Sequence, residues 1–341
     1  MTDTTTTPPH MQNRPAYNLT GVDYTNIPRR KIDGPIIDVH THTRDVGLTR
    51  EYLRVADEYG ISKIWTMAPL EDVEALQQAF PGRFEFIAIP KWQNLGPGAD
   101  FIAEWISRLD GFYQRGSRLI KFHVAPGTQK RTGMDLDSPA IQQVIRHAYD
   151  LGYHFMSHVG DPRAWFGEDR KYKPSEGQRS FEQQFPMLER MLEKYPDRIH
   201  MGAHMGGSLE DLDALQKRLD RFPHYIVDSS ATKWIVRGIA LQSLSRVRDF
   251  FIQNQDRILF GSDLVVGEKY NHDHYASRYW VHQKLWETDF KGFSPIEDPD
   301  APEGKPRLEG LDLPPEILEK FYRTNAQRWL HGKVLGKTNG Q

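Results

Sequence analysis

Histidines close several strand-like runs of this 341-residue chain, and that placement is the first chemical signal it carries. The run Pro35–His42 reads PIIDVHTH, and because successive side chains of a strand alternate between its faces, His40 and His42 project to one side. Two imidazoles so placed form one edge of a metal site, although a pair of histidines on a wet strand end gives the same pattern. Other runs end alike: Lys121 and His123 close LIKFHV, His158 closes YHFMSH, His204 stands in GAHMGG and Asp263 in FGSD. Borderline cations such as zinc take imidazole nitrogen and carboxylate oxygen in a roughly tetrahedral shell that leaves one position to water in catalytic sites. His40, His42, His158 and Asp263 supply such a set.

Composition narrows the alternatives. With no cysteine, the chain has no disulfides, thiolate zinc site, iron–sulfur cluster or cysteine nucleophile, so any metal rests on nitrogen and oxygen donors. A net charge of −2 gives no basic footprint, and nucleic acid is not an expected partner. No stretch of 18 apolar residues occurs and the first residues lack a basic segment leading into an apolar core, which predicts a cytoplasmic protein with no membrane partner. Residues 1–32, rich in Thr, Pro and Asn without periodicity, read as a disordered or surface-draped leader.

The elements that must carry these residues alternate from residue 33 to 335. Eight apolar runs (Pro35–His42, Ile61–Met67, Phe84–Ile89, Leu119–Val124, Tyr153–His158, Ile199–His204, Tyr225–Ser229 and Ile258–Asp263) are separated by amphipathic segments such as Thr49–Glu58, Ser138–Leu151, Ser208–Arg221 and Leu241–Gln255, with Pro314–Leu330 last. Eight βα units predict one α/β domain, a (β/α)8 TIM barrel, in preference to an open doubly wound sheet, whose glycine-rich phosphate loop is absent. Barrel active sites form at the carboxyl ends of the strands, where the candidate residues fall. Two connections, Gly160 to Gln184 after strand five and Val265 to Leu313 after strand eight, are long enough to act as lids or binding loops. Both are rich in aromatic and basic residues: Trp165, Phe166, Lys171, Tyr172 and Lys173 in one, Tyr275, Arg278, Tyr279, Trp280 and Trp286 in the other. These build either a pocket wall or the interface of a homo-oligomer.

The order HxH, Lys, His, His, Asp along a βα chain resembles the amidohydrolase superfamily. The forms IIDVHTH, GAHMGG and LFGSD, with Asn325-Ala326 in the final helix, are similar to its amidohydrolase-related branch, which includes aminocarboxymuconate semialdehyde decarboxylase and resorcylate decarboxylases. The resemblance implies that His40, His42, His158 and Asp263 hold one divalent metal, zinc, with manganese as an alternative. It makes His204 or Asp263 the general base toward a metal-activated water. Lys121 matches the lysine that is carboxylated and bridges two metals in binuclear relatives; a substrate-binding ammonium is the other reading. The implied activity is hydrolysis of an amide, lactone or ester bond of a small molecule. Decarboxylation of a small aromatic or dienoic acid is the alternative, and a barrel that binds a ligand without turnover the third. Arg44, His123, Trp165 and Asp228 are further candidates for touching substrate, whereas His154 and His200 read as structural and His272 and His274 as lid residues at most.

Overall fold

The structure is a computed structural model that describes residues 14–336. Nine strands form one sheet: β1 (Ile36–His42), β2 (Ile61–Met67), β3 (Phe84–Ala88), β4 (Leu119–His123), β5 (His154–His158), β6 (His200–Gly202), β7 (Tyr225–Asp228), β8 (Ile258–Leu259) and β9 (Leu264–Val265). Their order is β8-β7-β6-β5-β4-β3-β2-β1-β9, every neighbouring pair parallel. This is the α/β TIM-barrel arrangement, with helices between the strands. Leu119, Ile120 and Phe122 of β4 are all fully buried, so both faces of the sheet are covered, which is why its strands read as continuous apolar runs.

The eighth run differs from expectation in a way that shapes the site. It is split: β8 pairs with β7 and β9 pairs with β1. Between them, Gly261-Ser262-Asp263 kinks past His40, with the Val39 amide donating to the Phe260 carbonyl and the Asp263 amide to that of His40. Gly261 is needed there, because a Cβ would stand 3.0 Å from that of His40.

Helix boundaries move for local reasons. The helix expected from Thr49 begins at Val46, because the Asp45 carboxylate accepts hydrogen bonds from the Gly47 and Leu48 amides. The one expected from Ser208 begins at Leu212, capped by Asp211. A helix not foreseen, Thr232–Ala240, follows β7. The stretch from Val265 to Leu313 is not a simple long loop either, since it contains the 16-residue helix His272–Glu287. That helix packs Tyr275, Tyr279, Trp280 and Trp286 into the core. It shows no single apolar stripe, which hid it from a periodicity argument. Of the leader, residues 1–13 lie outside the described residues, and 14–32 drape over the domain: Tyr24 is buried, and the Leu19 amide donates to Pro295 and the Gln283 side chain to Pro28. Among the described residues no helix is long and apolar enough to cross a membrane.

Two histidines outside the candidate site predict an acid-labile fold. His282 accepts the Trp286 indole N–H at Nδ1 and faces the Thr232 hydroxyl at Nε2; His200 is bonded to the Ser157 hydroxyl. Burial pushes both down to about 3. The folded state therefore refuses protons that the unfolded chain accepts below pH 6.5, and stability falls as pH drops from there toward 3. The pair should together cost about 2 kcal/mol between pH 6 and 5. Urea midpoints across that range check this; a midpoint at pH 5 no lower than that at pH 7 would contradict it.

Candidate metal centre

His40 is the centre of the site. Its Nδ1 stands 3.0 Å from Asp228 Oδ2 at the end of β7 and 2.8 Å from Ser230 Oγ. A hydrogen on Nδ1 satisfies the carboxylate and leaves the lone pair on Nε2, the tautomer that a metal ligand needs. That Nε2 is 3.2 Å from Asp263 Oδ1, as is Nε2 of His42. The alternation expected of β1 therefore delivers both imidazoles to one carboxylate oxygen. His40, His42 and Asp263 offer three donor atoms within 4.8 Å of one another. His40 is fully buried, while the side chains of His42 and Asp263 keep 30% and 27% of their surface, so the group opens on one side. The neighbouring imidazoles and their hydrogen bonds hold the Asp263 carboxyl well below the usual range, against burial. It is ionised at neutral pH.

His204 comes next to this group by an unusual route. It does not end a strand: after β6 the chain turns through His204 and Met205, both left-handed, then Gly206 and Gly207. Gly207 passes so close to Gly160 that a Cβ there would stand 2.8 Å from its backbone. The turn swings the His204 amide onto Asp228 Oδ1, at 3.0 Å, and the ring against His40, at 5.0 Å between centroids. His204 Nδ1 meets Ser230 Oγ at 2.8 Å, and Ser230 donates to Asp228 Oδ1. With its proton given to Asp228, the hydroxyl accepts from His204 Nδ1–H, which leaves Nε2 of His204 as a free base. Burial and then the surrounding cations hold that imidazole neutral, well below its ordinary range.

Other candidates take less direct places. His158 falls outside the three-donor group, its Nε2 3.0 Å from Asp161 Oδ1, and its ring 4.5 Å from those of both His123 and His204. His123 pairs with His158 in register across β4 and β5 and is bonded to Thr128. Lys121, buried, places Nζ 2.7 Å from His40 Nε2, along the lone pair that a metal would take, and burial pulls its amine below its ordinary range. Asp228, expected to touch substrate, is fully buried with both oxygens taken, and instead orients His40. Arg44 is exposed just beyond β1. His272, at the start of its helix, is paired with Glu58 and Asp273. Sequence reasoning missed Asp38, Asp161, Ser230 and Trp234. The last belongs to the unforeseen helix, and its ring packs on those of His158 and His204.

Beside His123 and His158 opens a cleft of about 540 Å³ walled by Trp92, Trp165, Tyr172 and Trp234. Lys171 and Arg131 line it, Lys171 with its ammonium 3.5 Å over the Trp165 ring. Trp165 is held by its indole N–H, 2.9 Å from Asp300. Tyr172 donates to Asp161, whose other oxygen holds His158.

A TIM-barrel domain with a histidine–carboxylate cluster at its strand ends defines a class of enzymes that act through a bound cation. The sequence agrees: a profile of the amidohydrolase family matches residues 37–332, and the chain belongs to that family. It is an enzyme of the amidohydrolase superfamily. No curated protein matches the chain in sequence. Among solved structures, it is similar to dihydroorotase from Saccharomyces cerevisiae (13% identity, 89% of this chain and 86% of that one, TM-score 0.50). It is also similar to 2,6-dihydroxybenzoate decarboxylase from Rhizobium (15%, 87% and 98%, TM-score 0.49) and to a probable 2-pyrone-4,6-dicarboxylic acid hydrolase from Acinetobacter baumannii (12%, 89% and 100%, TM-score 0.49). The donor set fits a divalent metal: two imidazoles and an ionised carboxylate, one imidazole oriented by a buried carboxylate as metal-bound histidines commonly are.

Proposed function

We propose that this protein hydrolyses an amide, lactone or ester bond of a small molecule at one divalent metal, zinc in the first instance, held by His40, His42 and Asp263, with His158, bonded to Asp161 in this structure, turning in as the fourth ligand. The observation that carries the reading is the convergence of two Nε2 atoms on Asp263 Oδ1, each at 3.2 Å, on the side that opens to solvent. When bound, such an ion lowers the pKa of a coordinated water toward about 7 and polarises a carbonyl. The chain's own residues do the rest. Asp228 and Ser230 fix the tautomers of His40 and His204. His204 Nε2, neutral and unprotonated, takes the proton from the attacking water and returns it to the leaving group. Lys121 gives up its bond to His40 Nε2 when that lone pair is used and turns its amine to the substrate. Trp92, Trp165 and Trp234 bury the apolar part of the substrate.

The test is a panel of small amides, lactones, esters and hydroxybenzoates with zinc-loaded protein, following acid release and carbon dioxide together. Bond hydrolysis without carbon dioxide is expected. Carbon dioxide from a hydroxybenzoate, with no hydrolysis, would replace this reading by decarboxylation at the same residues. Turnover of nothing by a fully loaded protein would favour a binding barrel.

A further inference from the structure

We propose that Asp38 is the residue that positions the metal-binding group: its buried carboxylate sets where Asp263 stands relative to His40. The inference rests on the reading of His40, His42 and Asp263 as metal ligands, and it concerns a residue one step deeper on β1. Asp38 is fully buried, and among the described residues no cationic side chain forms an ion pair with it. It is held as an acceptor. One oxygen takes the His40 amide and the Ser262 amide, each at 3.1 Å. The other takes the Ser262 hydroxyl at 2.6 Å and the Tyr279 hydroxyl at 3.1 Å. The Ser262 oxygen in turn accepts the Leu264 amide at 3.2 Å, so the carboxylate reaches the backbone on both sides of Asp263.

That grip has something to hold. Asp263 has a φ of +59°, a left-handed conformation that is uncommon outside glycine, although aspartate takes it more readily than most residues, and that its surroundings help to hold. An ordinary extended residue there would continue the eighth strand past His40; the kink instead directs Asp263 Oδ1 to the two imidazoles. Asp38 ties the segment carrying His40 to the segment carrying Asp263, so the separation of those ligands depends on it. Tyr279, bonded at 2.7 Å to Tyr52, extends the anchor to two helices.

The chemistry of the four donors makes a specific prediction. Two are amides that can only donate, and two are hydroxyls that can also accept. In Asp38→Asn, the amide oxygen accepts the two N–H groups while its NH2 donates to the two hydroxyls, so the geometry survives without the charge. Asp38→Ala keeps none of it. Zinc dissociation constants of metal-free protein, measured by competition with a chelating dye, should rise about 10–100-fold in Asp38→Ala, the range for loss of a group that orients ligands. Asp38→Asn should stay within a few fold of wild type. Ser262→Ala, which removes one arm, should weaken zinc several fold, and it decides the matter if Asp38→Ala does not fold. Ile64→Ala on β2 is the control, expected to lose thermal stability but not zinc affinity. Equal affinity in folded Asp38→Ala and wild type, unchanged affinity in Ser262→Ala, or a loss in Asp38→Asn as large as in Asp38→Ala would overturn the proposal while leaving the metal site intact. A wild type that binds no zinc would remove the reading beneath it as well.

Discussion

Asp263→Ala should lower kcat/KM by about a thousandfold or more and weaken zinc binding in the same protein. The expectation follows from the double duty of one oxygen, 3.2 Å from both His40 Nε2 and His42 Nε2. The carboxylate supplies the only negative charge in the three-donor group, and its ionised form is favoured by the imidazoles it faces. Removing it leaves two neutral nitrogens to hold a doubly charged ion, and a proton-transfer group worth about 10²–10⁴ in rate is lost if it also contacts the attacking water. Asp263→Asn separates the two effects. The amide keeps the shape and one oxygen donor, so zinc weakens less than in the alanine variant while activity stays low. Metal titration beside steady-state rates reads both. A rate within tenfold of wild type in the alanine variant would contradict the assignment.

His204 should behave differently. Because His204 has a φ of 57°, alanine would add backbone strain, and asparagine, which tolerates the left-handed region, is the better substitution. His204→Asn should lower kcat by about 10²–10⁴, the usual worth of a general base, with zinc content unchanged. KM should change little, since the cleft wall formed by the Trp residues is intact. Loss of one metal equivalent on this change would instead show that His204 is a ligand, and with Lys121 2.7 Å from His40 Nε2 it would point to a bridged pair of ions.

How much of this was legible depends on which force placed each residue. His40 and His42 share a face as strand alternation expects, although β1 shifts register against β2 between Asp38 and Thr41, and the level of His123 with His158 follows from parallel register, so both could be read from sequence. The eight-unit order was legible for the same reason, since buried parallel strands leave continuous apolar runs. Asp263 was found as a residue type at a strand end, but its direction was not readable. It depends on a left-handed kink stabilised by Asp38, more than two hundred residues earlier in the chain. Ser230 and Trp234 were missed because they belong to a turn and a helix whose pattern merged with the end of β7. Asp161 looked like a loop residue until Tyr172 and His158 were seen to share it. The helix His272–Glu287 was hidden by burial on several sides, which removes the amphipathic stripe. Local periodicity reveals elements; contacts between distant segments decide where their polar ends point.

The most direct test is metal content. Wild-type protein purified without chelators and His42→Ala prepared in the same way should be compared by elemental analysis, because His42 is a strand-end residue whose loss spares the buried core. We expect one divalent ion per chain in the wild type and a small fraction of that in the variant. No stoichiometric ion in the wild type, or an undiminished ion in His42→Ala, would contradict a cation held between β1 and the kinked eighth strand.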